Sequence, residues 1–495
     1  MNQNNILIDG ENISYTENGA KSLLTTGSKC LDFYFKTVRK ISQEDTINKL
    51  AEAWNEDPLS TLKIIFHIRD CRGGKGEREI FRWCCQWLAQ NKKNHLLHNV
   101  KHIPNFGRWE DLLWLLDFDN DTSKIISNLI AEQLKSDIND MNSGKLISLC
   151  AKWVPTEGKK HDKKLDAVNK ICKALKCNKK NYRKEYVTPL RQYLDIVEKL
   201  MCGKKWNEIN YNKVPGIAMN KLKKAFEKND PERFKEFKNK LQNKDSSVKV
   251  NASTVEPHQC VKQFMNNFED DPIIEAQWEE IVKRVQKLGT FKDSIIISDV
   301  SGSMSGEPMQ VSVALGILIS SLTEGQFNNK IITFETNPKL HSVSGNNLRE
   351  KVKNVMDMDW NGSTNFQAVF DLILTNAKFY NLTQEQMPKR LYVISDMQFD
   401  ECDECDNGNN FLTNYEHIKL KYSEFGYKMP EIIFWNVRGN SQDFTNNQFD
   451  KGVAMISGFS PSILKAVINN DDFSPLGVLK NIINDDRLKC ITLAQ

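Results

Sequence analysis

The run Ser294-Ile-Ile-Ile-Ser-Asp299 limits what the C-terminal half of this chain can become more than any other stretch. It is short, β-branched and bounded by polar residues, the pattern of a strand buried on both faces of a parallel sheet. Leu391-Tyr-Val-Ile-Ser-Asp396 repeats the pattern and also closes on an aspartate. Further strands read as Lys330 to Phe334, Glu431 to Val437 and Val453 to Ile456, with helical stretches at Val311 to Leu322, Phe366 to Phe379, Leu412 to Phe425 and Pro461 to Ile468. Such alternation demands parallel pairing through crossover helices, so residues 288–495 are expected to form a doubly wound α/β domain.

Ligands of open α/β sheets bind in the crevice outside the carboxyl ends of the strands. That edge receives Asp299-Val-Ser301-Gly-Ser303 from one strand, Asp396 from another, and Thr364 from the polar loop Gly362-Ser363-Thr364-Asn365 ahead of a helix. D-x-S-x-S alone arises by chance in about one chain in ten of this length, so the other two loops add the weight. Asp299, Ser301, Ser303, Thr364 and Asp396 are all oxygen donors, the chemistry of a hard divalent cation. The plainer alternative is that the three hydroxyls cap helices.

The five residues resemble the metal-ion-dependent adhesion site of von Willebrand factor A domains, with a match at each position. The resemblance implies a Rossmann-like A domain. In it the two serines and the threonine contact the ion, and the aspartates bind it directly or through water. Mg2+, or Mn2+, suits such a site because it takes oxygen ligands octahedrally and keeps several waters. A shell rich in neutral hydroxyls leaves the ion electrophilic toward a partner's carboxylate or phosphate.

The first half reads as helical. Ser60 to Arg69 and Glu79 to Leu88 are apolar at helical spacing around the glycine turn Asp70-Cys-Arg-Gly-Gly-Lys-Gly76. Gly107 to Leu116, Lys145 to Trp153 and Thr188 to Glu198 follow. Stacked helix pairs of this kind bury a shared core and present extended curved surfaces. Phe66-His-Ile-Arg-Asp-Cys-Arg-Gly-Gly-Lys-Gly-Glu-Arg78, Gly107-Arg-Trp, Lys152-Trp-Val-Pro155, Lys205-Trp-Asn-Glu-Ile and Val214-Pro-Gly-Ile-Ala-Met219 resemble the TROVE helical module, which the Ro autoantigen family joins to an A domain. Thr16-Glu-Asn-Gly-Ala20 with Leu31-Asp-Phe-Tyr-Phe35 looks still more like an uncharacterised family of the same two-part layout. The expected class is therefore α + α/β: a HEAT-like helical-repeat domain over 1–287, then the A domain over 288–495. The Ro resemblance implies binding of structured or non-coding RNA.

Charge agrees with two kinds of partner. Lys159 to Lys249 carries 26 Lys and Arg against 11 Asp and Glu, whereas Leu288 to Gln495 carries 18 against 25. A basic block of that size is the footprint of phosphate-backbone binding, although solvated lysine-rich helix faces produce the same count. The nucleic-acid candidates are Lys75, Arg78, Lys159, Lys160, His161, Lys163, Lys164, Lys179, Lys180, Arg183 and Lys184, and Tyr182, Tyr193, Trp206 and Tyr211 are candidates for base stacking.

Other motifs carry less. Gly73-Gly-Lys-Gly76 lacks the spacing and the Lys-Ser/Thr ending of a phosphate loop. Cys402-Asp-Glu-Cys405 has zinc-pair spacing but no second pair. An aspartyl-phosphate enzyme wants a carboxylate two residues after its nucleophile, where this chain has Ser301. The eight histidines nominate no triad. A non-enzymatic RNA-binding scaffold is expected, with a metal-dependent protein adaptor without RNA binding as the alternative. The N-terminus shows no secretory pattern, the longest apolar stretch is too short for a bilayer, and the twelve scattered cysteines fit reduced thiols. An intracellular, cytoplasmic protein follows. Richness in Asn, Lys and Ile fits an AT-rich genome such as that of a protist or a large DNA virus, and for a virus the place is host cytoplasm or virion.

Overall fold

The computed structural model describes residues 12–289, 291–334, 338–358, 364–400, 414–439, 443–468 and 472–495. Its contacts divide the chain into two compact units. One comprises Met1–Ile64, Gly73–Lys75 and Val250–Asp485; the other comprises Ile65–Arg72, Gly76–Lys249 and Asp486–Gln495. This grouping is not sequential. Residues on the N-terminal side of the expected 287/288 boundary belong with the sheet, and the division passes through the helix Pro58–Arg69.

The first unit is built on a six-stranded sheet. After a short antiparallel hairpin, β1 (Ile13–Tyr15) and β2 (Lys21–Leu23), come β3 (Ser294–Ser298), β4 (Lys330–Thr333), β5 (Leu340–Ser342), β6 (Arg390–Ser395), β7 (Glu431–Asn436) and β8 (Val453–Ser457). Their order is β5-β4-β3-β6-β7-β8, parallel throughout except for β5, which runs antiparallel to β4. β5 was not foreseen. It has three residues, half-exposed to exposed on the sheet edge, and so carries no apolar run.

Every residue of β3 is buried because helices cover both faces. On one face Ile295, Ile297, Leu391, Val393, Ile432 and Phe434 share a core with Phe366, Phe370 and Ile373 of helix Phe366–Phe379 and with Ile418 and Tyr422 of helix Asn414–Glu424. On the other, helix Glu307–Leu322 lies against β3, β4 and β6, and Ser312 Oγ meets Ser298 Oγ at 2.8 Å. Helices Pro257–Asn266 and Pro272–Gln286 pack on that helix in turn. The chain leaves β3 toward β4 on one side and returns to β6 on the other. The gap between the carboxyl ends of β3 and β6 is thus a topological switch point, where an open α/β sheet places its crevice.

The second unit is helical. Its longest element, Asn120–Asn142, packs against Ala167–Leu175. Two expected helices are shorter than their patterns. Lys145 to Leu149 is non-helical after Gly144 turns the chain at φ 68°, and the helix starts only at Cys150. The stretch Thr188 to Glu198 breaks at Asp195, φ 49°, into Thr188–Tyr193 and Val197–Cys202. The C-terminal peptide belongs here too: Arg487 grips Asp70 with bonds of 2.7 and 2.9 Å, and Asn99 exchanges hydrogen bonds with the Thr492 backbone. No helix among the described residues is long and apolar enough to cross a membrane.

Candidate functional site: the β3/β6 edge

Register sets the site. Ser298 pairs with Ile394, so Asp299 leaves its strand level with Ser395 and one residue short of Asp396 on the adjacent strand, and the Asp299 N–H donates to the Ile394 carbonyl at 3.0 Å. Asp299 Oδ1 accepts the Ser301 N–H at 2.9 Å and Oδ2 accepts the Ser395 hydroxyl at 2.5 Å. Both aspartates are buried, at 0 % and 1 % exposure. Burial, and then the negative charge of Asp396, push the Asp299 carboxyl up to about 6. Two carboxylates held this close out of water are costly unless a cation joins them.

Ser301 is buried and Ser303 exposed, and their hydroxyls lie 3.1 Å apart. Thr364 is 2 % exposed; its carbonyl accepts the Asp400 N–H at 3.0 Å, which ties it to the loop after β6. Helix capping does not account for these groups. Ser301 makes no side-chain cap bond, Gly306 occupies the cap of helix Glu307–Leu322, and Asn365 caps Phe366–Phe379 through the Ala368 N–H. Asp396 Oδ2 is buried and accepts no hydrogen bond among the described residues. A buried acceptor that takes no hydrogen bond is open to a cation or a water. The donor set of two carboxylates and three hydroxyls fits Mg2+ or Mn2+. No cluster of three or more His, Cys, Asp and Glu placed to hold a metal occurs among the described residues.

Two members of this edge escaped the sequence reading. Ser395 precedes Asp396 directly and holds Asp299; its place at the end of an apolar run was the available signal. Arg438, two residues past β7, stands 3.5 Å from Asp396 Oδ2. Cys402, Cys405 and Ser363 lie outside the described residues.

Nearby, Glu307 faces His258 Nε2 at 3.6 Å and pairs with Arg39. His258, and then the Arg39 guanidinium, hold the carboxyl down to about 2 from an ordinary 4.5. A depressed carboxylate contributes stability above its unfolded value and loses it as pH falls toward the folded one. Thermal melts from pH 5 to pH 2 are therefore expected to fall more steeply for wild type than for Glu307→Gln; parallel curves would show that the cluster is screened by solvent.

The nucleic-acid candidates scatter. Lys75 is a correction: it is 2 % exposed, and its ammonium donates to the Tyr34 carbonyl, to Thr37 O at 3.0 Å and to Ser457 Oγ at 2.7 Å, above the Tyr34 ring. An ammonium so enclosed cannot reach a phosphate. Arg78 lies 3.7 Å from both Glu79 and Glu110, and Lys179 pairs with Glu157 at 3.2 Å. Lys159, Lys163, Lys164, Lys180, Arg183 and Lys184 are exposed, and the side chains of Lys160 and His161 lie outside the described residues. Among the aromatics, Tyr182 and Tyr211 are core residues with hydroxyls on Pro155 O and Asp230, and Trp206 is half-buried; only Tyr193 is well exposed. An unforeseen aromatic, Trp114, is 39 % exposed with Arg82 and Lys164 at 4.0 and 4.8 Å from its ring. By sequence the helical unit carries 40 Lys and Arg against 24 Asp and Glu, and the sheet unit 28 against 40.

A family model described as domain of unknown function DUF2828 matches residues 16–124 and 120–291, and one described as domain of unknown function DUF7788 matches 293–485. A protein of Acanthamoeba polyphaga mimivirus, described as uncharacterized protein L728, is 34 % identical over 504 residues, spanning 95 % of this chain and 87 % of its own length.

Proposed function

Starting from a chain that belongs to the DUF2828 family and carries a DUF7788 region, we propose a non-enzymatic binding protein whose sheet unit captures an anionic group through Mg2+ or Mn2+. The ion is held by Asp299, Ser301, Ser303, Thr364 and Asp396, as the resemblance to von Willebrand A domains implies. One observation carries the reading: buried Asp396 Oδ2, which accepts no hydrogen bond among the described residues and has only the Arg438 guanidinium at 3.5 Å, beside buried Asp299 at the switch point of the sheet. When bound, the ion supplies an electrophilic oxygen-binding position. Asp299 and Asp396 balance its charge, Ser395 holds Asp299 in place, and the 301–303 turn presents two hydroxyls. Calorimetric titration of the full-length protein with Mg2+ and with Mn2+ tests this, and absence of uptake of either removes it.

The helical unit is read as an RNA-binding surface resembling the HEAT-like TROVE module of the Ro family. Its excess of basic residues supports this, with Lys163, Lys164, Lys180, Arg183 and Lys184 exposed. Filter binding to a structured RNA should weaken steeply between 50 and 200 mM salt. Reversing the charge of Lys180, Arg183 and Lys184 should then lower the log–log salt slope by about one for each phosphate that is no longer neutralised. Binding that is weak and insensitive to salt leaves the alternative, a metal-dependent protein adaptor. Recovery of a protein partner that is unchanged by chelator counts against that alternative as well.

A further inference from the structure

Arg438 lies on the same edge as the two aspartates, where its N–H donates to Asn436 Oδ1 at 2.9 Å and fixes the start of the loop. Its Nη1 donates to the Ser303 carbonyl and stands 3.5 Å from Asp396 Oδ2. The side chain is 22 % exposed, so the guanidinium reaches from the buried carboxylate toward the surface. Few of its donors are spent among the described residues: there Nε, buried, has no acceptor, and Asp396 Oδ2 takes no hydrogen bond from the side chain. A guanidinium carries five donors in a rigid plane.

Charge indicates what the spare donors are for. The two carboxylates of this edge outnumber its one guanidinium and leave it negative, which attracts a divalent ion; once the ion is held the balance turns positive, and an anion is drawn in. Arginine is suited to that anion, because its planar fork matches the paired oxygens of a carboxylate or phosphate, which a lysine cannot do. We infer, on the reading that this edge holds Mg2+ or Mn2+, that Arg438 is a second anchor for the ligand, and that the ligand is an oxyanion with at least two free oxygens. Arg438 then determines specificity, while the five oxygen-donor residues hold the ion.

The test is isothermal titration of the full-length protein with Mn2+, alone, with acetate, and with inorganic phosphate, for wild type, Arg438→Ala and Arg438→Lys. Linkage requires an anion that binds at the ion to raise Mn2+ affinity. Wild type is expected to gain about 5-fold or more with at least one of the two anions. Arg438→Ala should bind Mn2+ alone at least as tightly, since a neighbouring cation is gone, and should lose the anion-dependent gain. Arg438→Lys should recover part of it. Enhancement by acetate alone marks a carboxylate source, and by phosphate alone a phosphoryl source. Equal enhancement in wild type and Arg438→Ala, no enhancement in either, or a larger one in the variant overturns the inference and leaves the metal site standing. Failure of wild type to take up Mn2+ removes both.

Discussion

Asp299→Asn protein is expected to remain folded and to lose at least about 100-fold in Mg2+ or Mn2+ affinity, since even partners one step removed from a metal are worth 10 to 100-fold. The substitution preserves shape. The amide oxygen still accepts the Ser301 N–H and the amide nitrogen still faces the Ser395 hydroxyl, while the charge that an ion must neutralise is gone. Burial and the neighbouring Asp396 already disfavour a charged Asp299. In chelator the variant should therefore melt no lower than wild type. In saturating metal the two should separate, because ion at 100 times its dissociation constant adds about 2.7 kcal/mol to a site that only the folded chain offers. Differential scanning fluorimetry with and without Mn2+ reads both halves. Equal metal-induced shifts in the two proteins would place the ion elsewhere, and a lower melt in chelator would mean that the carboxylate is needed for the fold itself.

Arg69→Ala should cost the helical unit about 3–5 kcal/mol, the usual penalty for leaving a buried charge alone. Arg69 is 3 % exposed and its partner Asp111 is fully covered. Nε and Nη2 reach the same carboxylate oxygen at 2.8 and 2.7 Å, and that oxygen also accepts the Arg108 N–H at 2.9 Å. Lysine offers one ammonium in place of the two-pronged grip, so Arg69→Lys should recover little. Gly107 is part of the same device: a Cβ there would fall 2.3 Å from Asp111 Oδ2, so Gly107→Ala should approach the loss of Arg69→Ala. Urea denaturation followed by tryptophan fluorescence measures both. A loss below about 1 kcal/mol for Arg69→Ala would show that water reaches Asp111 and compensates it.

The strands of the sheet unit were readable because a buried parallel strand is a solid apolar run. β3, β6, β7 and β8 lie within a residue or two of where their patterns place them. β1, β2 and β5 were not readable: each has three residues and is partly exposed, so nothing in its composition sets it apart from loop. Asp299 and Asp396 could be found because each ends such a run. Arg438 follows a run by two residues, a subtler version of the same signal. Lys75 was misread for a different reason. A count of charges treats every lysine as solvated, but this one is enclosed by acceptors at positions 34, 37 and 457, and no local pattern foretells them. Tyr182 and Tyr211 show the same limit among aromatics. The pairing of Arg69 with Asp111 joins residues 42 positions apart, which no local pattern brings together.

The sheet unit draws on residues 12–64 and then nothing but Gly73–Lys75 until Val250. During synthesis its opening segment, with Phe33, Tyr34 and Phe35 all destined for the interior, is finished long before β8 and the helix Pro475–Ile483 emerge. At typical translation rates that delay is about 20–80 s. Through that interval Phe35 has its early neighbours but lacks Phe434, Val453 and Met455, the core partners that only the finished sheet supplies.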